Sequence, residues 1–266
     1  MISSEGKTPE HTLAAQLYVS VKNPNSIFQK IGERPAKFSL KEWNSSAKPE
    51  ETPVPKPVIK TYSERDLHPL LTHFARKFMD VYTKTIYHEK SKAHGKFSQW
   101  LHPDLVGVYF PFGSWAKAVV EFGMGIGSRI VKLYSFEMKK QLNTGNLRES
   151  FFQAVSNSSW ANEGYLVASE ISSKEDFRAE LKRLSASFGI GIIELNTAEP
   201  DRSTILFPAK ERDELDWETI NKLCKINGDF RDFLERVRDD ISIKKIIVER
   251  YDKLYTVEEL RRKFKD

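Results

Sequence analysis

Tyr134-Ser135-Phe136-Glu137-Met138-Lys139 is the stretch on which the reading of this chain turns. Large apolar residues recur with period two, the pattern of a strand with one face against a core. Tyr134, Phe136 and Met138 then fill the core side. Glu137 and Lys139, two residues apart, project together from the other. A carboxylate beside an ammonium on one strand face suits metal-assisted hydrolysis. The carboxylate can hold Mg²⁺, while the lysine orients or deprotonates the attacking water and stabilises developing charge. Mg²⁺ takes one or two protein carboxylates together with water and phosphate. His102-Pro103-Asp104 offers the second, at the start of the preceding strand. An ordinary edge-strand ion pair is spelled the same way, so Glu-x-Lys needs support from the rest of the chain.

Upstream, Asp66 is the expected N-cap of a helix with Pro69 in its first turn and an apolar stripe of Leu67, Leu70, Leu71, Phe74 and Phe78. Strand patterns follow at residues 85–87, 104–110 and 131–138. Downstream, Asn146 with Glu149 spells a capping box for a helix over 147–156. A strand at 165–168 comes next, then a helix capped by Ser173 with Phe177, Leu181, Leu184 and Phe188 on one face, then a strand at 190–195. Helix, three strands, helix, strand, helix, strand predicts an α/β domain with a mixed sheet covered by helices. Gly123-Met124-Gly125-Ile126-Gly127-Ser128-Arg129 matches neither G-x-G-x-x-G nor G-x-x-x-x-G-K-[ST], and reads as a flexible hairpin connection. Arg129 and Lys132 beside it, Arg148 on the next helix and Asn157 at that helix's end are the expected phosphate contacts.

The remaining chain sets the frame. At 266 residues with 39% hydrophobic and 12% aromatic content, it can build a core. Residues 44–60 include Pro49, Pro53, Pro55 and Pro57 and read as a semi-rigid linker. Ahead of it, Thr8 and Pro9 open a helix with Leu13, Leu17 and Val21 on one face, and residues 27–31 and 36–40 read as two paired strands around Gly32-Glu33-Arg34-Pro35. Residues 209–266 carry 15 basic and 15 acidic residues and look helical, with caps at Asp216 and at Thr256-x-x-Glu259. The net +5 lies upstream of them and tolerates nucleic acid as a partner without demanding it. The single Cys224 excludes an intrachain disulfide, and six scattered histidines give no zinc pattern. No apolar run spans a bilayer and no secretory signal opens the chain, so a soluble cytoplasmic protein with no membrane partner is expected.

Pro103-Asp104, Glu137-x-Lys139, Glu64 near a helix start and Gln153 on the following helix occur in an order that resembles the PD-(D/E)XK nuclease superfamily. The resemblance implies a restriction-endonuclease-like sheet, Asp104 and Glu137 as metal ligands, Lys139 as the water-activating group, and Glu64 and Gln153 as accessory catalytic residues. A closer one runs through YSERDLHPLL, WLHPDLVGV, YSFEMKKQL and NLRESFFQAVSNSSWANEGYLVASE, which look like HrgA-type proteins associated with bacterial restriction–modification loci. GKTPEHTLAAQLYVSVKNPNSIFQKIGERPAKFSL resembles the second half of a HARE-HTH winged-helix domain. The expected organisation is therefore a partial winged helix (1–43), the linker (44–60), a nuclease-like domain (61–208) and a charged helical tail (209–266).

The expected activity is Mg²⁺-dependent endonucleolytic hydrolysis of double-stranded DNA, with Mn²⁺ able to substitute, in a restriction or defence setting. Cutting both strands calls for two active sites, which a homodimer would supply. Two alternatives stand beside it: a non-catalytic DNA-binding or regulatory protein on a nuclease-like scaffold, and a nuclease directed at RNA.

Overall fold

The computed structural model describes residues 17, 19–24, 26–31, 37–41, 62–87, 89, 91, 102–128 and 130–265. The chain divides into two compact units, Met1–Ile59 and Lys60–Asp266. The first contains an antiparallel pair of strands, β1 (Phe28–Ile31) and β2 (Lys37–Leu40), with Phe28 opposite Leu40. A helical turn precedes it, in which the Val21 N–H donates to the Leu17 carbonyl at 3.0 Å. The Thr8 cap, the Gly32–Pro35 connection and the 44–60 linker lie outside the described residues, as does Arg129.

The second unit is mixed α/β. A 3-10 turn (Glu64–Leu67) leads into α1 (His68–Phe78), followed by β3 (Val81–Thr85), β4 (Leu105–Tyr109), α2 (Lys117–Gly125) and β5 (Lys132–Leu142). Then come α3 (Leu147–Asn157), β6 (Glu163–Ile171), α4 (Glu175–Phe188), β7 (Gly191–Glu194) and β8 (Thr204–Phe207). Three helices close the chain: α5 (Trp217–Ile226), α6 (Gly228–Ile243) and α7 (Val257–Lys265). The six strands β3 to β8 lie in sequence order in one sheet. The β5–β6 and β6–β7 pairs are parallel and the other three antiparallel. Each parallel pair is joined through a helix, α3 or α4, as parallel strands require.

Alternation sorts the side chains onto two faces. Phe136 and Met138 of β5, Val167 of β6 and Ile193 of β7 pack with Leu70, Leu71 and Phe74 of α1 and Leu260 of α7. On the other face two separate cores form. Val106, Val108 and Leu133 pack with Trp160, Leu223, Phe230 and Phe233, whereas Leu142, Leu166 and Ile192 pack with Phe151, Leu181 and Leu184. The charged C-terminal region is thus built into the sheet's own cores. Trp160 is fully buried and meets Phe230 edge-on at 4.9 Å. Full burial of one such side chain is worth about 1.5–3 kcal/mol.

Several local readings shift. Ser63, not Asp66, caps the first turn: its side chain accepts from the Asp66 N–H, and Asp66 accepts from the Ser63 N–H at 2.9 Å. Asp66 is the reciprocating third residue of that box, and Glu64 becomes the first residue of the turn. The first strand lies at 81–85 rather than 85–87. The glycine run is no plain hairpin connection. Residues through Gly125 are helical, with Val120 and Gly123 buried and Gly123 seated on Ile130. Asn146 precedes α3 without a side-chain cap bond, because its amide is spent on the preceding loop, accepting from the Asn143 N–H and donating to the Gln141 carbonyl. Lys174, not Ser173, is the N-cap of α4. Asp216 and Thr256 do cap, accepting from the N–H groups of Thr219 and Glu259. Among the described residues no helix is long and apolar enough to cross a membrane.

Candidate active site

Glu137 and Lys139 stand on the sheet face that carries the two separate cores. Residues 133 and 166 on either side belong to different apolar clusters, so the pair occupies the seam between them. The Glu137 side chain is 2% exposed and that of Lys139 16%. Lys139 Nζ donates to Glu137 Oε1 at 2.7 Å, and Asn157 Nδ2 donates to Glu137 Oε2 at 2.8 Å. Asn157, at the end of α3, is itself fixed: its main-chain carbonyl accepts from Ser135 Oγ and Trp160 Nε1, both at 2.8 Å. Its side-chain oxygen is buried and has no partner among the described residues.

Asp104 reaches the same place from β4. Its Oδ2 accepts the Met138 N–H at 2.7 Å, so the carboxylate lies on the backbone between Glu137 and Lys139. Burial first, and then the charge of Asp104, push the Glu137 carboxyl up to about 8 against the pull of Lys139 and Asn157. Burial opposes the charge on Lys139, but Glu137, Asp104 and Glu64 outweigh it and hold its pKa above the ordinary lysine value. Three carboxylates therefore converge electrostatically on one ammonium.

The sequence-expected residues divide accordingly. Asp104, Glu137 and Lys139 are together, and Glu64, exposed on the 3-10 turn, adds its charge from the edge. Gln153 is half-buried one helical turn before Asn157 on α3. Asn157, expected as a phosphate contact, is buried and committed to Glu137 instead. Lys132 pairs with Glu211 at 2.5 Å rather than standing open for phosphate. Arg148 is exposed on α3 and adds its charge to the surroundings of Glu180. His102 is buried against Ser91, which also accepts from Asn227, a packing role. Cys224 is partly buried against the apolar cluster of α5 and α6.

A cleft of about 770 Å³ lies elsewhere, walled by Tyr109, Trp115, Lys132, Tyr134, Glu211 and Glu214 among others. It contains neither Glu137 nor Lys139, and its walls mix Glu211, Asp213 and Glu214 with Lys132 and Arg212.

The donor set at the seam fits a hard divalent cation. Two carboxylates repel each other there, and a neutral amide oxygen beside them lacks a partner. Among the described residues no group of three or more His, Cys, Asp and Glu forms a cage. Asp104 and Glu137 could hold an ion that completes its shell from water and phosphate. No family model, curated protein or solved structure matches the chain.

Proposed function

We propose that this chain is a Mg²⁺-dependent DNA endonuclease of the PD-(D/E)XK type, acting in restriction or defence. One observation carries the reading: a buried Glu137–Lys139 pair with the Asp104 carboxylate bonded to the backbone between them. Its support is the frame around it, a helix, two antiparallel strand pairs and a helix leading to parallel strands. Asp104 and Glu137 would hold Mg²⁺, which when bound supplies Lewis-acid polarisation of the phosphoryl oxygen and of water. Lys139, whose pKa is held above the ordinary lysine value against burial by Glu137, Asp104 and Glu64, acts as a donor: it orients the attacking water and stabilises negative charge on the phosphate, and does not serve as the resting-state base. Asn157 holds the Glu137 carboxylate in place, and the two apolar cores exclude bulk water behind it.

The test is nicking of supercoiled plasmid by the purified chain with Mg²⁺ or Mn²⁺. Glu137→Gln and Lys139→Ala should abolish cutting while circular dichroism shows an unchanged fold. Equal behaviour of wild type and Lys139→Ala across many DNA substrates would remove the assignment.

A second reading has its own observation. Both Glu137 oxygens are engaged by protein donors, as in a purely structural polar network. On that reading the chain binds DNA on a nuclease-like scaffold without cutting it. Binding of labelled duplex that is equally tight in chelator, with no Mn²⁺ uptake by calorimetry, would select it.

A further inference from the structure

A second concave feature adjoins the carboxylate cluster on its β3 side. It is a cavity of about 200 Å³ whose walls include Arg65, His68, Thr85, Tyr87, Asp252 and Lys253. Thr85 is paired with Leu105, the residue after Asp104, and the Ile86 N–H donates to the Asp104 carbonyl at 2.9 Å. One strand spacing, about 4.8 Å, thus separates this wall from the backbone of Asp104. Arg65 follows Glu64 in the same turn; its bond to Glu89 first, and the charge of Asp104 last, hold its pKa up.

The polar wall has a defined proton arrangement. Thr85 Oγ1 donates its single proton to Asp252 Oδ2 at 3.0 Å, so it can only accept from His68 Nδ1, 3.3 Å away. The ring proton of His68 is therefore on Nδ1, and Nε2 keeps a lone pair. His68 is 8% exposed, and Nε2 has no hydrogen-bond partner among the described residues. Burial holds its pKa down to about 4, so the ring is neutral at pH 7. Asp252, with Lys84 at 3.8 Å, supplies a second acceptor. At the mouth the half-exposed Arg65 guanidinium lies 5.2 Å over the Tyr87 ring and pairs with Glu89 at 2.6 Å, an exposed pair that phosphate would have to compete with, and Lys253 adds another cation. The volume is below the ~300–1,000 Å³ of sites for drug-sized ligands, which suits a single ring system.

We propose that this cavity is a nucleobase pocket that takes the amine-bearing edge of cytosine, adenine or guanine against His68 Nε2 and Asp252 and disfavours thymine, with the ring beside Tyr87 and the attached phosphate toward Arg65 and Lys253. Two fixed acceptors favour an exocyclic amine, which cytosine, adenine and guanine carry and thymine lacks, and repel the O4 acceptor of thymine. The identity of the polymer rests on the proposed DNA substrate; recognition of the base rests on the pocket alone.

The experiment uses full-length protein with ¹⁵N-labelled histidine in chelator, where no cleavage occurs. His68→Gln assigns the His68 signals. Nε2 should resonate as an unprotonated nitrogen, and dCMP and dAMP should shift it with at least about tenfold tighter binding than dTMP. Comparing dC oligomers with dCMP separates a strand subsite from a free-nucleotide site: tighter binding of the oligomer assigns a strand, and equal binding assigns a pocket for the free nucleotide, with oligo-dT as the control expected to bind weakly. Arg65→Ala, at a side chain half exposed, should weaken dCMP binding at least about threefold with an unchanged melting temperature. A protonated Nε2, no His68 shift with any nucleotide or oligomer, or equal binding of dCMP and dTMP overturns the pocket. A protein that cuts no DNA yet shows the dCMP shift keeps the pocket and loses the nuclease reading.

Discussion

Replacing Glu137 by Gln removes a charge from the seam while keeping its shape, and the metal-free protein should report this as a change in how stability depends on pH. The Glu137 carboxyl titrates near 4.5 in an unfolded chain and is pushed up to about 8 in the folded one. Between those values the folded state keeps a proton that the unfolded state has lost, so stability falls as pH rises through the window. At ~1.4 kcal/mol per pH unit the full difference approaches roughly 5 kcal/mol. Water entry and relaxation around a buried carboxylate reduce this, and a loss of about 2 kcal/mol or more between pH 5 and pH 8 is expected. His68, held down to about 4, works in the opposite sense: its contribution rises with pH between about 4 and 6.5. The difference between the two proteins, not either curve alone, therefore isolates Glu137. Urea unfolding at half-unit pH steps in chelator should show wild type losing stability relative to Glu137→Gln across this window. Adding Mg²⁺ at pH 8 should then restore wild type but not the variant; saturation at 100 times the dissociation constant contributes about 2.7 kcal/mol. Parallel pH curves for the two proteins would refute the argument that Glu137 is destabilised by burial and Asp104.

Three further variants test the packing around the site. Lys139→Ala removes the ammonium that holds the Glu137 carboxyl down, so the carboxyl stays protonated to higher pH. The variant should stay within about 1 kcal/mol of wild type at pH 6 and fall behind it by ~1.4 kcal/mol per pH unit above pH 8, which urea unfolding at pH 6 and pH 9 checks. Asn227 is fully buried, caps α6 by accepting from the Phe230 N–H, and donates to the Tyr87 carbonyl and Ser91. Asn227→Ala should cost about 2–4 kcal/mol in urea. A Cβ at Gly164 would lie 2.3 Å from the Ser158 Cβ, in a turn buried beneath β6, so Gly164→Ala should cost about 1–3 kcal/mol and lower the melting temperature.

Where the sequence was legible, two physical levels agreed. The alternation in β5 marks both faces, because Tyr134, Phe136 and Met138 pack with α1 while Glu137 and Lys139 share the other side. The stripe of α1 and the caps at Asp216 and Thr256 are local rules acting within a few residues. What escaped was either masked by composition or made by distant chain. Three glycines made residues 123–129 read as a flexible connection and hid the end of α2, yet a glycine costs a helix only about 1 kcal/mol, and the buried Val120 offsets it. β8 is four residues long at a sheet edge, too short to show a period. The bond from Asn157 to Glu137 crosses 20 residues, and that from Thr85 to Asp252 crosses 167; no spacing rule reaches either.

The position of the pair bears on its purpose. On this face the sheet builds two apolar cores, one against α5 and α6 and one against α3 and α4, and apolar side chains at 137 and 139 could have fused them into one. A buried ion pair is commonly no more stabilising than well-packed hydrophobic residues in its place. Here the unfavourable balance is sharper, because Asp104 is held by the Met138 N–H where it repels Glu137. A second carboxylate beside Glu137 costs a network that serves stability alone. The buried Asn157 oxygen, without a partner among the described residues, adds a further acceptor beside Glu137. On the proposed function a cation would offset the repulsion between Asp104 and Glu137, and the modest net +5 of the chain would then matter less than the local charge such an ion brings.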